Sequence, residues 1–351
     1  MDLSLADIGP FLLNSQLSEV EHIKNLKLLS KNFTSERVKC LNEYQFNTDL
    51  ISSYALFYFP TNIPKFDFII SRLTKSEQMY LKQCQFIDVG TGPGTYLYAF
   101  LNWAKTFSLN HVAVDQSQFM LQQAEKLLRG LLPAFNCTFT QIAPAKISAK
   151  SLLFFGHSLN EMGLKNGLQY IDKLNPEYVF TIEPGTKETF SFILKLRKEM
   201  ALRNYAVLYP CAHLNSSCPL EERDDWCHQI LRTQHHESIE RLSQLINKDR
   251  RTMPLIAHLY KRERKKISSE SDYKHRLVRL VKETKFSWIW DVCMCEDPLR
   301  LQRIEVLKSE FSKSQQKEIK NISSGIGINF DPIKEMQDFC RVTNVHLDCW
   351  S

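Results

Sequence analysis

No stretch of this chain stays apolar long enough to cross a membrane, a task that takes about 20 consecutive residues in a helix. A helical membrane span is therefore not expected, and neither is a membrane partner. The N-terminal stretch carries Asp2, Asp7, Glu19 and Glu21. It lacks the basic start of a secretory signal and the acid-poor character of a transit peptide. A cytoplasmic location is the expectation, with a mitochondrial one as the alternative. There is no internal repeat, which excludes solenoids and propellers. No cysteine pair has the C-x2-C spacing of a zinc knuckle.

What is present is enough for a sizeable core. The 351 residues are 43% hydrophobic, sufficient for one large domain or two small ones. A net charge of +6 permits a nucleic-acid partner without requiring one. Ten cysteines without a secretion signal point to a reducing compartment, where metal binding is more common than disulfides. A monomer is expected.

The stretch Phe86-Ile-Asp-Val-Gly-Thr-Gly-Pro-Gly-Thr95 organises the rest. An apolar strand ends at Asp88, then Gly90, Gly92 and Gly94 turn the chain into a helix. Glycines allow positive φ and close approach of a ligand, and the helix start leaves N–H groups unpaired. A small molecule is expected at the carboxyl end of this strand. The dinucleotide fingerprint G-x-G-x-x-G has a glycine where Thr95 stands. An acidic residue followed by G-x-G-x-G instead resembles the S-adenosylmethionine pocket of class I methyltransferases. Asp115 ends the next strand, His111–Val114, where a carboxylate can accept both ribose hydroxyls.

Residues 1–80 read as helical. Ser35 is a candidate cap for a helix through Val38, Leu41 and Tyr44. A second helix is expected from Asn47 to Phe59, broken by Pro60 and Pro64, and a third from Phe66 to Leu73. Tyr54, Phe57, Tyr58 and Phe59 read as a face packed on the core. From 84 onward short apolar strands alternate with helices. Strands are expected at Gln85–Val89, His111–Val114, Cys137–Thr140, Leu152–Gly156, Tyr178–Ile182 and Ala206–Tyr209. Helices are expected at Tyr96–Lys105, Gln116–Arg129, Leu159–Lys173 and Lys187–Arg203. The pattern predicts a parallel sheet covered on both faces. The division is 1–80 helical, 81–210 core, 211–285 a Cys-containing insert, and 286–351 C-terminal strands and tail.

The loop Gly156–Met162 holds His157, Ser158, Asn160 and Glu161. In a class I methyltransferase this is the usual catalytic position. It has neither the Asn/Asp-Pro-Pro-aromatic motif of amino-group methylation nor a Pro-Cys pair for attack on a pyrimidine carbon. No catalytic residue is assigned, and activity stays open. His157 reads as a hydrogen-bonded structural residue, with general base as the alternative. Ser158 and Asn160 are candidates for holding the cofactor, together with Asp88, Gly90, Gly92, Gly94 and Asp115.

Cys211, Cys218 and Cys227 lie within seventeen residues of an irregular segment. Four soft ligands hold tetrahedral zinc or a four-iron cluster, so a fourth must come from elsewhere. Cys293 and Cys295 are the candidates. If Ala206–Tyr209 pairs with Phe286–Cys295, Cys211 and Cys295 lie roughly 26 Å apart, at about 3.3 Å per residue. A separate C-terminal sheet removes that conflict and is the expectation; a different fourth ligand, such as His213, is the alternative. Gln229 to Lys266 reads as helices. The run Lys261–Lys266 has five cations in six residues, and Cys211–Lys285 holds sixteen Lys and Arg against eleven Asp and Glu. The run reads equally as a solvated face or as a phosphate clamp.

Pro-Cys211-x-His213, Cys218-Pro-Leu220, Asp225-Trp-Cys-His228, Glu183-Pro-Gly-Thr186 and Trp290-Asp-Val-Cys-Met-Cys295 together resemble the small-ribosomal-subunit methyltransferase-like family. Its eukaryotic members are mitochondrial ribosome assembly factors, and bacterial relatives exist. The resemblance runs from about Tyr44 to Lys308. It implies a Rossmann-like class I methyltransferase fold that binds S-adenosylmethionine and contacts small-subunit ribosomal RNA. It also implies an iron–sulfur [4Fe-4S] cluster, with zinc as the alternative, on Cys211, Cys218, Cys227 and Cys295. A catalytically inactive assembly factor and a small-molecule methyltransferase are the competing expectations.

Overall fold

The computed structural model describes residues 3–35, 47–132, 134–211, 218–221, 223–262, 274–294, 300–320, 322 and 324–347. The chain divides into two compact units. One is Met1–Ile182 with Arg232–Met253; the other is Glu183–Leu231 with Pro254–Ser351. Among the described residues no helix is long and apolar enough to cross a membrane.

In the first unit, helices α1 (Leu5–Ile8), α2 (Glu19–Ser35), α3 (Thr48–Ile70) and α4 (Lys75–Leu81) precede the sheet. Strands β1 (Gln85–Val89), β2 (His111–Val114), β3 (Cys137–Thr140), β4 (Ser151–Gly156) and β5 (Tyr178–Pro184) alternate with α5 (Thr95–Ala104), α6 (Gln118–Leu131), α7 (Leu159–Met162) and α8 (Leu164–Leu174). The five strands run parallel in the order 3-2-1-4-5. β1 pairs with β2 on one side and β4 on the other, so the order reverses at β1. A crevice opens at such a switch point, beyond the strand's carboxyl end. Phe86, Ile87, Leu152–Phe155 and Val179–Phe180 are buried on both sheet faces, which is why these strands read as unbroken apolar runs.

The expected break at Pro60 and Pro64 does not occur. α3 runs from Thr48 to Ile70 through both prolines, and the helix expected to begin at Phe66 is its last turn. A proline inside a helix costs about 3 kcal/mol. Ile51, Phe57, Phe59, Phe66 and Ile69 are fully buried along α3, and each such side chain contributes about 1.5–3 kcal/mol. Packing outweighs propensity here. The helix expected through Val38, Leu41 and Tyr44 lies outside the described residues.

In the second unit, α9 (Lys187–Leu202) leads to β6 (Tyr205–Tyr209). β7 (Gln229–Arg232) and β8 (Thr252–Arg262) follow, and both β6 and β7 pair with β8. The all-helical reading of 229–266 is therefore wrong for its strands, although Glu237–Leu245 in the first unit is a helix. Residues 255–260 are all buried, and a continuous apolar run cannot separate a buried strand from a helix by periodicity. The rest of the basic run, 263–266, lies outside the described residues.

β9 (His275–Glu283), β10 (Ser287–Met294), β11 (Arg300–Leu307), β12 (Gly327–Glu335) and β13 (Cys340–Leu347) close into a barrel. Trp288, Trp290, Val292, Ile304, Val306, Ile328 and Val342 fill it. Cys293 thus sits on a strand that pairs with β9 and β11, not with β6. The C-terminal sheet is separate, as expected.

Candidate functional site

The turn after β1 holds Gly90, Gly92 and Gly94 at φ of 73°, 54° and 81°. All three lie in the left-handed region that glycine tolerates best. Their surroundings differ. A Cβ on Gly90 would lie 2.4 Å from Cβ of Ser158, and one on Gly94 would lie 2.9 Å from Leu128. These two glycines let the β4 loop and α6 pack onto the turn. A Cβ on Gly92 would meet nothing within 4 Å. Gly92 is the one whose backbone faces open space.

Asp115 braces the turn. The Gly92 amide donates to its Oδ2 and the Ser117 amide to its Oδ1, both at 2.9 Å. Burial raises its pKa, and these two amides oppose the rise. Each carboxylate oxygen keeps a lone pair for a ligand hydroxyl. Asp88 is buried. Thr91 donates to its Oδ2 at 2.8 Å, while Oδ1 has no partner among the described residues. Burial pushes its pKa up to about 7, with the Thr91 hydroxyl pulling down and Asp115 pushing further up. An orphaned carboxylate oxygen beneath a glycine turn fits a cationic or N–H group of a cofactor.

Asp88 also sets a pH dependence. The folded protein holds this proton up to about pH 7, whereas an unfolded Asp releases it near 3.9. The native state then binds more protons across that window, so stability falls as pH rises through it, by at most about 1.4 kcal/mol per unit. Urea unfolding of ligand-free protein at pH 5 and pH 7.5 is expected to show the loss, and Asp88→Asn to remove it. An identical slope in the variant would assign it to other groups.

The expected ligand-facing role of Ser158 meets a competing contact. Its hydroxyl donates to Val89 O at 2.5 Å, closing the β4 loop on β1. Asn160 and Glu161 lie in the single turn α7. His157 has φ 61°, and its Nε2 lies 2.8 Å from Nζ of Lys65 on α3. Lys65 is only 3% exposed, and it escaped the sequence reading. Its signal was a lone lysine between Pro64 and Phe66 in an apolar run, since lysine is rarely buried without a specific partner.

The second unit holds the cysteines. Cys211, Cys218, Cys227 and Cys293 line one cavity of about 40 Å³, together with Arg197 and His258. Burial raises the Cys227 thiol, with Cys211 and Cys218 adding to it, and burial likewise raises Cys218 to about 11. Burial acts to lower the guanidinium of Arg197, yet Cys211, Cys218, Tyr260 and Cys293 turn the net direction upward. Burial, then Arg197, lowers His258 to about 3. Two motif segments meet beside this cavity: the Trp226 indole donates to Gly185 O at 3.1 Å. A Cβ on Gly185 would lie 2.6 Å from the backbone of Pro254 and Leu255, which explains the glycine in that motif. Among the described residues no group of three or more His, Cys, Asp or Glu side chains is gathered as a metal site. Cys295 and His213 lie outside the described residues.

A 3-2-1-4-5 parallel sheet with an acidic, glycine-rich turn at its switch point defines a Rossmann-like fold of the class I methyltransferase kind. Within that class the chain belongs to the Rsm22 family, described as mitochondrial small ribosomal subunit Rsm22, whose model matches residues 50–321. No curated protein matches the chain. Among solved structures, an O-methyltransferase family protein from Burkholderia thailandensis is 12% identical, covering 72% of this chain and 74% of that one at a TM-score of 0.40. The magnesium protoporphyrin IX methyltransferase of Synechocystis PCC 6803 with bound SAM is 11% identical, covering 71% of this chain and 100% of that one at a TM-score of 0.37.

Proposed function

We propose that this chain is an S-adenosylmethionine-binding factor that contacts small-subunit ribosomal RNA during ribosome assembly and carries a four-thiolate iron–sulfur cluster in its second unit. The observation that carries the reading is the cysteine cavity in a chain of this family. Four thiols from separate segments line one space beside a buried guanidinium. Unmetallated buried thiols resist ionisation; a metal deprotonates its thiol ligands outright. Arg197 then offsets part of the resulting negative charge. We take Cys211, Cys218, Cys227 and Cys293 as the ligands. Cys293 replaces Cys295 because it lines the cavity with the other three.

For the cofactor, Gly92 offers backbone without a side chain, Asp115 offers carboxylate oxygens to ribose hydroxyls, and the orphan oxygen of Asp88 accepts a donor. When bound, S-adenosylmethionine supplies an electrophilic methyl group. The residues of the β4 loop favour an assembly factor over an active methyltransferase. His157 is engaged by Lys65, and no acceptor-activating motif stands beside it.

Anaerobic purification followed by metal analysis and absorption spectroscopy tests the cluster. Roughly four irons per chain are expected. Cys293→Ser is expected to lose most of that iron and Cys295→Ser to retain it; a protein with neither iron nor zinc refutes the cluster. Calorimetric titration with S-adenosylmethionine tests the pocket, and affinity no tighter than millimolar refutes that part. Ribosomal-subunit co-sedimentation that survives Asp88→Ala and Asp115→Ala supports a non-catalytic role. RNA affinity without salt dependence would turn the reading toward a small-molecule enzyme.

A further inference from the structure

One largely buried side of α3 carries a polar row. Tyr54, Tyr58 and Asn62 follow at intervals of four, which stacks them on one side of the helix. The rings of Tyr54 and Tyr58 lie 4.7 Å apart. Arg250, in the segment that returns to the first unit, reaches this row. Its Nη2 donates to Asn62 Oδ1, and its guanidinium carbon lies 5.7 Å from the centre of the Tyr58 ring. The Arg250 carbonyl accepts from His235 Nε2 at 3.0 Å, which fixes the backbone that presents the side chain.

Among the described residues the guanidinium has no anionic partner. Its Nε is buried with no hydrogen-bond partner among the described residues. The groups that act on its charge are Tyr58, Tyr96 and Tyr54, all phenols, and burial draws its pKa down. A cation removed from water is costly unless paired and hydrogen-bonded. A neutral amide and a ring face supply only part of that pairing.

The same cluster extends to the glycine turn. Tyr96 is the second residue of α5, directly after the turn, and a Cβ on Gly156 would lie 2.1 Å from its ring. Tyr54 senses Glu161, Arg250 and Asp115 together. Tyr58, which Arg250 faces, shares α3 with Lys65, and Lys65 meets His157, whose ring lies 6.1 Å from that of Tyr96, so the row that Arg250 joins stands beside the candidate pocket. S-adenosylmethionine brings a sulfonium, an ammonium and one carboxylate. The acidic side chains Asp88 and Asp115 suit its cationic and hydroxyl groups. Its carboxylate needs a cation.

We propose that Arg250, steadied by Asn62 and Tyr58, receives the α-carboxylate of S-adenosylmethionine. The inference rests on the cofactor reading above and adds the residue that selects the amino-acid end of the ligand. Pairing would satisfy Nε and restore charge balance, as a charge-assisted bond does. A phosphate of the RNA is the rival oxyanion. The link through Tyr54 and Tyr96 to both sides of the glycine turn favours the carboxylate.

The test is calorimetric titration of the full chain with four ligands: S-adenosylmethionine, S-adenosylhomocysteine, decarboxylated S-adenosylmethionine and 5′-methylthioadenosine. A hydrogen-bonded ion pair of this kind corresponds to roughly a 10–100-fold preference. Wild type is expected to bind the two carboxylate-bearing ligands that much more tightly than the decarboxylated one. Arg250→Gln should erase the preference and leave 5′-methylthioadenosine affinity unchanged. Arg250→Lys should restore part of it. The ligand-free Arg250→Gln protein should melt close to wild type, since glutamine can still donate to Asn62. If Arg250→Gln weakens all four ligands equally, or leaves S-adenosylmethionine untouched while weakening binding of a single-stranded ribosomal RNA fragment, the carboxylate role is overturned. Wild type that binds none of the four fails at the earlier step and removes the cofactor reading itself.

Discussion

Gly90→Ala is expected to lower stability by roughly 2–5 kcal/mol, combining left-handed strain and overpacking. Gly92→Ala, two residues on, is expected to fold and to lose its cofactor. Both positions have positive φ, so each alanine meets a similar conformational cost of about 1–2 kcal/mol. Only at position 90 does the new Cβ collide, 2.4 Å from Cβ of Ser158, a residue tied to Val89 O. The loss is large against a domain stability of about 5–15 kcal/mol. At position 92 the methyl enters open space, so it obstructs a ligand and not the protein. Urea unfolding separates the two variants, and titration with S-adenosylmethionine completes the comparison. Ser158→Gly in the Gly90→Ala background should recover the overpacking part, because the two side chains are in direct conflict. Equal unfolding midpoints for the two alanine variants would show that Ser158 yields readily. Wild-type affinity in Gly92→Ala would place the ligand elsewhere.

That contrast also marks how far the sequence could be read. G-x-G-x-G located the turn, because only glycine tolerates three positive-φ positions so closely spaced. It could not say that Gly90 and Gly94 serve packing while Gly92 faces space, since the neighbours, Ser158 and Leu128, are distant in the chain. The parallel strands were legible because a strand buried on both faces is a short apolar run between turns. The same property misled at Leu255–Tyr260, where a longer buried strand of β8 carries helix-like spacing. Pro60 and Pro64 misled in the other direction, since local breakers were outweighed by burial along α3. Cysteine spacing pointed to a shared site, but that Cys293 lines the same cavity as the other three depends on the barrel strand β10, which local spacing does not reveal. Arg250 was invisible, and Lys65 was marked only as a lone lysine in an apolar run. A buried cation is recognised by what surrounds it, and Asn62, Tyr58 and His157 come from other segments.

Replacement of Asp291 by alanine is expected to destabilise the barrel by about 3 kcal/mol, the low end for a broken buried pair. Asp291 stands on β10 opposite Arg279 of β9 and Arg303 of β11, so the three residues form a row across three strands. Its carboxylate is 2% exposed. Arg279 donates to its Oδ2 from Nε and Nη2 at 3.0 and 2.9 Å, and Arg303 donates to its Oδ1 from Nε at 2.9 Å. Both guanidinium groups retain access to water, at 37% and 43% exposure, so they can be rehydrated when the carboxylate is gone. That limits the penalty. Arg279 also pairs with Asp225, two residues before Cys227. Loss of Asp291 should therefore loosen the segment that presents Cys227 as well as the barrel. Thermal unfolding at 0.05 and 0.5 M salt measures the first effect. It should change little with salt, because Debye screening at 0.5 M reaches exposed charges far more than buried ones. For the proposed cluster, the rate of iron loss to a chelator measures the second, and Arg279→Met should raise it while leaving Asp291 paired with Arg303. If Asp291→Ala unfolds like wild type and Arg279→Met releases iron no faster, the row across the three strands is incidental to both the barrel and the cysteine segment.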